Sequence, residues 1–227
     1  MRKIKLLSSL FFLPVLIKSQ DSIKLVHHEI GFNTVSLVKQ VISNNPTSAL
    51  PQLPYDFFYN AYYKDKFGIR LGAGLSTSYT ETEIQNQPYP RITNKFTINT
   101  RGGLSYNFIH NKRITLNVFA DYVRSDTKDE TIATTTVQTF PNPTQRITTE
   151  TSDKSTAEGA QAGVGIKFNI YKHLSLYTEA PLSYTTKVSK STVNINDTGT
   201  NSWSVSTVRT SGLLFYIPTT IYLVLRF

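Results

Sequence analysis

From Phe96 to Phe108 the chain alternates without a break: Phe96, Ile98, Thr100, Gly102, Leu104, Tyr106 and Phe108 on one face, Thr97, Asn99, Arg101, Gly103, Ser105 and Asn107 on the other. Successive side chains of an extended chain point to opposite sides, so a period of two gives a strand with one apolar and one polar face and excludes an amphipathic helix. The same pattern returns along the chain. Phe67, Ile69, Leu71, Ala73 and Leu75 oppose Gly68, Arg70, Gly72, Gly74 and Ser76. Ile114, Leu116, Val118, Ala120 and Tyr122 oppose Thr115, Asn117, Phe119, Asp121 and Val123, and Ala160 to Ile170 and Leu174 to Leu182 repeat it. The fold class is therefore all-β and antiparallel.

A soluble sandwich alternates in the same way, so the connections decide the architecture. Three are tight and polar, at 64–66, 110–113 and 171–173, and three are long, at 85–92, 126–156 and 191–201. Short and long turns alternate strictly, as in barrels with short periplasmic turns and longer outer loops. An outward-running strand between Lys24 and about Leu37 then has to precede the inward strand from Tyr55 to Tyr63, with a fourth long loop between them. Strand is expected at Glu29 to Val35, against the alternative that Thr34 caps a short helix through Val35, Leu37, Val38, Val41 and Ile42. The last strand runs from about Ser202 to Phe227, bent at Pro218. This predicts an eight-stranded antiparallel transmembrane β-barrel. The stretch 126–156, rich in Thr, Asp, Glu and Pro and without apolar period, is expected to be a mobile outer loop.

The N-terminus begins with Arg2, Lys3 and Lys5, continues with an apolar run from Leu6 to Ile17 and exits through Lys18, Ser19 and Gln20. That order reads as a secretory signal peptide over 1–20, the run being too short for the roughly 20 residues of a spanning helix. The domain proper is 21–227. Removing the four basic residues of the leader from the chain's 24 leaves 20 against 15 acidic residues, so the net charge of +9 falls to about +5 and a nucleic-acid partner loses its support. The chain has no cysteine, which excludes disulfides, thiolate metal sites and a Cys nucleophile.

The polar faces place Glu29, Asp56, Arg70, Lys95, Arg101, Asp121, Lys167, Glu179 and Arg226 inside the barrel. Ions in a confined lumen lose solvation without compensation unless paired, so a salt-bridge network is expected there, with a narrow gated pore lined by the same residues as the alternative. Gly68, Gly72, Gly74, Gly103, Gly163 and Gly165 are expected to make room for Arg70, Arg101 and Tyr177, the alternative being a lumenal pocket for a small apolar molecule. His27 and His28 point to opposite faces and cannot chelate together. No HExxH, GxSxG, P-loop or GxGxxG motif occurs, and no rim cluster of Ser, His and acid can be assembled, so neither catalysis nor a cofactor or metal is expected. Tyr55, Tyr63, Phe67, Tyr79, Phe108, Tyr122, Tyr171, Tyr184, Trp203 and Phe227 fall near strand ends, where an interfacial girdle belongs.

The chain closes on Thr219, Ile221, Leu223, Leu225 and Phe227 facing one way and Thr220, Tyr222, Val224 and Arg226 the other. An alternating strand with a terminal aromatic resembles the signal that outer-membrane proteins present to the barrel-assembly machinery, with Tyr222, Leu223, Leu225 and Phe227 in that role. Together with Glu29 to Leu37, Pro54, Tyr55 and Phe67 to Gly74, this end resembles the small outer-membrane barrels common in Bacteroidota. More distantly the architecture is similar to OmpA/OmpX-like eight-stranded barrels. The resemblance implies location in the bacterial outer membrane after export through the periplasm. The resemblance implies little chemistry; a barrel anchored in this way is expected to contact outer-membrane lipid and lipopolysaccharide and to have a structural or surface-interaction role, with a surface protein as candidate partner. A narrow pore or transporter for small molecules is the alternative.

Overall fold

The computed structural model describes residues 26–34, 55–83, 89–137, 145–196, 201–216 and 220–227. The leader and residues 35–42 lie outside the described residues, so neither the signal peptide nor the helix after Thr34 is among the features seen. Nine strands follow in order: β1 (Val26–Asn33), β2 (Phe57–Tyr63), β3 (Phe67–Thr82), β4 (Arg91–His110), β5 (Ile114–Val137), β6 (Gln145–Tyr171), β7 (Leu174–Asn196), β8 (Asn201–Phe215) and β9 (Tyr222–Arg226). All pairings are antiparallel.

Each strand from β1 to β7 pairs with its neighbours in sequence, and β9 pairs with both β7 and β1, closing a ring of eight. The seam runs from Glu29 opposite Arg226 to Asn33 opposite Tyr222. Beyond it, reciprocal backbone bonds join His28 and Phe227 at 3.1 and 3.0 Å. β8 and β9 lie along the same side of β7, β9 against Leu174 to Tyr177 and β8 against Leu182 to Asn196. The expected last strand is therefore two segments in line; Pro218 between them lies outside the described residues.

Through the ring the alternation turns the polar side chains of β3 to β7 inward, where Phe58, Tyr62, Tyr222 and Val224 join them, while the described side chains of β8 from Ser202 to Phe215 are exposed throughout. Phe67 and Leu104 are 63% and 65% exposed, whereas Arg70 and Glu179 are 1% exposed. A soluble sheet buries its apolar face; this ring does the reverse.

The strands differ greatly in length. β1, β2 and β9 have 8, 7 and 5 residues, while β5, β6 and β7 have 24, 27 and 23. Above the ring, β3 to β8 continue as a six-stranded sheet in which β3 beyond Ala73 and β8 each have one ladder partner among the described residues. Here the expectation of a mobile loop at 126–156 is overturned: β5 and β6 stay in register from Ile114 opposite Phe168 to Val137 opposite Gln145. Likewise β7 and β8 pair to Asn196 opposite Asn201, well into the loop expected at 191–201, and β3 and β4 to Thr82 opposite Arg91. An apolar period is absent because neither face packs on a core, and the signal that remains is threonine, a β-branched strand former. Thr93 and Thr131 meet across the ladder at 3.2 Å, Thr97 and Thr127 at 3.1 Å.

At the other end the turns are tight. Lys66 N–H donates to Tyr63 C=O at 3.1 Å around Lys64 and Asp65, both with left-handed φ of 50° and 58°. Two consecutive positive φ values make a type I′ turn, whose twist suits a hairpin.

Candidate functional site

Inside the ring, ion pairs run across the lumen. Arg70 on β3 donates Nη2 to Glu179 Oε2 on β7 at 2.6 Å and places Nε 3.5 Å from Asp121 Oδ1 on β5. Arg101 on β4 bonds Glu179 Oε1 and lies 3.8 Å from Asp121 Oδ2. All four side chains are buried. Tyr177 donates to Glu179 at 3.1 Å and Gln161 to Asp121 at 3.0 Å. The guanidinium groups also sit on aromatic faces, Arg70 at 3.9 Å from the Phe119 centroid and Arg101 at 4.5 Å from that of Tyr55. Each buried acid faces an arginine, so the charges are paired, while Arg70 Nε, Arg101 Nε and Nη2 and Asp121 Oδ1 have no hydrogen-bond partner among the described residues.

A second group lies nearer the tight turns. Lys167 on β6 donates to Glu29 on β1 at 2.5 Å, with its ammonium 5.2 Å from the Tyr62 ring. Asp65, in the first hairpin turn, accepts from Arg226 at 2.7 Å and meets His27 Nδ1 at 2.5 Å. Against the first group Phe58, Tyr177, Tyr222 and Val224 are buried together, Phe58 edge-on to both tyrosines at 5.4 and 5.0 Å.

Glycine makes this filling fit. A Cβ on Gly72 would lie 2.6 Å from Arg101 Nε, one on Gly165 2.3 Å from the Tyr177 hydroxyl, and one on Gly31 2.2 Å from the Phe58 ring. Of the room expected from the inward glycines, Arg101 takes that beside Gly72 and Tyr177 that beside Gly165, whereas Gly103 and Gly163 face neighbouring backbone first and Arg70 is not among the nearest side chains of either. Cavities of about 710, 340 and 300 Å³ lie by the tight turns at 110–114 and 168–172, beside Tyr122 and Arg209, and beside Phe96 and Lys128. None of the three is lined by Arg70, Arg101, Asp121 or Glu179.

Of the nine interior charges expected, Arg70, Arg101, Asp121 and Glu179 meet in one cluster, Glu29 and Lys167 pair below it, and Arg226 sits at the mouth. Asp56 stands at the upper rim, accepting from Leu75 N–H at 2.8 Å. Lys95 departs from the expectation. It keeps the inward phase but lies above the closed ring, where it is exposed. Tyr55 and Trp203 depart from the girdle, Tyr55 being buried against Val123 and Trp203 standing in the upper sheet opposite Asn194. Asp65 belongs to the tight connection 64–66, and its place between Lys64 and Lys66 masks a carboxylate that the left-handed turn folds toward Arg226 and His27 at the mouth. The two histidines do face opposite ways, His27 buried and stacked on Tyr62, His28 outside between Tyr59 and Phe227.

No family model, curated protein or solved structure matches this chain.

Proposed function

We propose that this chain is an integral outer-membrane β-barrel with a plugged lumen, acting as a structural or surface-interacting protein rather than as an enzyme. What carries the reading is the inversion of the ring: aliphatic and aromatic side chains circle the outside while a charged cluster fills the inside. In water such a surface would drive aggregation, whereas in a bilayer the same surface is solvated, and the ladder closed by β9 on β1 pairs the backbone of the ring. Outward Tyr63, Phe67, Phe108, Tyr171 and Phe227 near the tight turns, with Tyr79, Tyr122 and Tyr184 at the other limit, support the placement of the two interfaces. The resemblance of the chain's two ends to small Bacteroidota barrels fits this reading, as does a leader at 1–20, with periplasmic export and the barrel-assembly machinery acting on the strand ending in Phe227. The sheet above the ring then presents a surface for lipopolysaccharide or for a protein partner.

The cross-lumen pairs favour the plug over the narrow pore, since eight strands leave room for side chains or one small ligand. The test is twofold. Folded protein should migrate differently in unboiled and boiled samples and insert into lipid vesicles, and planar bilayers containing it should show no steady conductance. Recovery as a water-soluble protein without the shift would end the membrane reading. Ion-selective conductance altered by Arg101→Glu would replace the plug with a pore.

A further inference from the structure

On the outer face, the unbroken register of β5, β6 and β7 sets Lys128 directly opposite Lys154 and Lys154 directly opposite Lys190. Neither ladder shifts between these residues and the ring, so all three keep the phase of outward Val118, Val164 and Leu182. Directly opposed side chains have Cβ atoms about 4.5–5.5 Å apart, and like charges at that spacing repel. All three are exposed. Lys128 has Glu130 beside it at 2.5 Å, while Lys154 and Lys190 have no ion-pair partner among the described residues. Nor has Arg209 of β8, which pairs in the ladder with Val188, one outward position below Lys190. Of the acids on this face, Asp126 and Glu158 below the row are engaged with Arg124 at 2.8 Å and with the Tyr122 hydroxyl at 2.9 Å, while Glu150 stands two outward positions above Lys154. A fold with no use for this row would gain stability by breaking it with one acid.

We infer that Lys128, Lys154, Lys190 and Arg209 form a binding surface for the phosphate-bearing saccharide headgroup of an outer-leaflet glycolipid. The inference rests on the membrane placement proposed above and adds the site and the ligand chemistry. Height selects the ligand. Lys128 and Lys190 each stand six residues beyond the tyrosine of their own strand, Tyr122 and Tyr184. Six residues are about 20 Å along a strand, and at a tilt of roughly 40° about 15 Å above the tyrosine ring. A bilayer of about 40–45 Å with a hydrocarbon core of about 30 Å leaves only about 5–8 Å for each headgroup layer, so phospholipid phosphates lie below the row. An anionic glycolipid whose sugars extend outward reaches it. Three lysine ammonium groups side by side suit multiple phosphates, each as a compact point charge.

The protein is first inserted into phosphatidylcholine vesicles, with insertion read from the heat-dependent mobility shift. Binding of rough lipopolysaccharide and of its dephosphorylated form is then titrated at low and high salt. The parent should prefer the phosphorylated form, with a preference that fades at high salt. The triple variant Lys128→Gln, Lys154→Gln, Lys190→Gln should insert as the parent does yet bind the phosphorylated form on the order of 100-fold more weakly. Lys95→Gln, on the opposite face, should change nothing. Undiminished binding by the triple variant overturns the inference while leaving the barrel intact. Full competition by an equal concentration of inorganic phosphate overturns it in favour of a free anion. Failure of the parent to insert sinks the membrane placement, and the inference with it.

Discussion

Arg70 and Glu179 bond at 2.6 Å from strands β3 and β7, which stand four places apart in a ring of eight and so face each other across its full width. The pair is a strut between walls that share no ladder. Arg101 to Glu179 and Lys167 to Glu29 span three places each in the same manner.

Removing one end of such a strut leaves an unpaired buried charge. Glu179→Ala is expected to destabilise the barrel by roughly 3–5 kcal/mol, and adding Arg70→Met should recover part of that loss, since the second change removes one of the stranded charges. Denaturant unfolding in detergent micelles, read by far-ultraviolet circular dichroism and the mobility shift, measures both. Equal stability of Glu179→Ala and the parent would mean that the lumen is wet and the pairs are solvated.

Gly103 offers a test of close approach between strands. A Cβ there would lie 2.1 Å from the Ala120 carbonyl oxygen and 2.5 Å from the Asp121 Cα, both backbone atoms that cannot swing aside. Gly103→Ala should cost about 1–3 kcal/mol and lower the temperature at which the compact band is lost. Gly212→Ala, with nothing within 4 Å, should leave it unchanged.

At the first hairpin turn, Lys64 adopts a left-handed φ that a β-branched residue tolerates poorly. Lys64→Val should lower stability by about 1–2 kcal/mol, whereas Lys64→Asn should hold or raise it. The same unfolding curves distinguish the two, and equal stabilities would refute the assigned turn.

Asp126 stands above the apolar band, where the Arg124 guanidinium first, and then the Thr156 hydroxyl at 2.8 Å, hold its carboxyl below the usual carboxylate range. A lowered folded-state pKa stabilises the fold above the unfolded value, and the contribution is lost as pH falls through the folded one. On this exposed surface the effect is small, under about 1 kcal/mol. Carboxyl-detected NMR should find Asp126 titrating below the other exposed acids, and Arg124→Ala should raise its pKa.

The upper sheet should be separable from the ring. Replacing residues 125–157 by Asn-Gly joins Arg124 to Glu158, which already face each other in the ladder, through a tight hairpin turn. The shortened protein should still insert and show the mobility shift. Loss of both would make the upper ladder part of the folding unit.

The ring was legible because one physical signal, alternation, repeats in almost every strand and also assigns the inside. The phase of Arg70, Arg101, Asp121, Lys167 and Glu179 followed from it directly, but which charge meets which did not, because shear and register across the lumen leave no mark in a single sequence. Residues 126–156 were misread for the opposite reason. With solvent on both faces their strands have no apolar face to announce them, and the threonines that pair there look like loop composition. Asp65 escaped notice because its importance comes from a turn that aims it, not from its neighbours in sequence.

The seam between β1 and β9 joins distant parts of the chain; Thr34 N–H, for example, bonds Ile221 C=O at 2.9 Å across 187 positions. Every other neighbouring pair in the ring is a hairpin partner or, in the case of β7 and β9, a short excursion apart. Hairpins zip locally and early, whereas a contact of that separation must wait for a long loop to close. The ring therefore has one slow step, the docking of β9 on β1. In reverse, those five residue pairs are where thermal opening begins, so the lifetime of the closed barrel is set by its shortest strand.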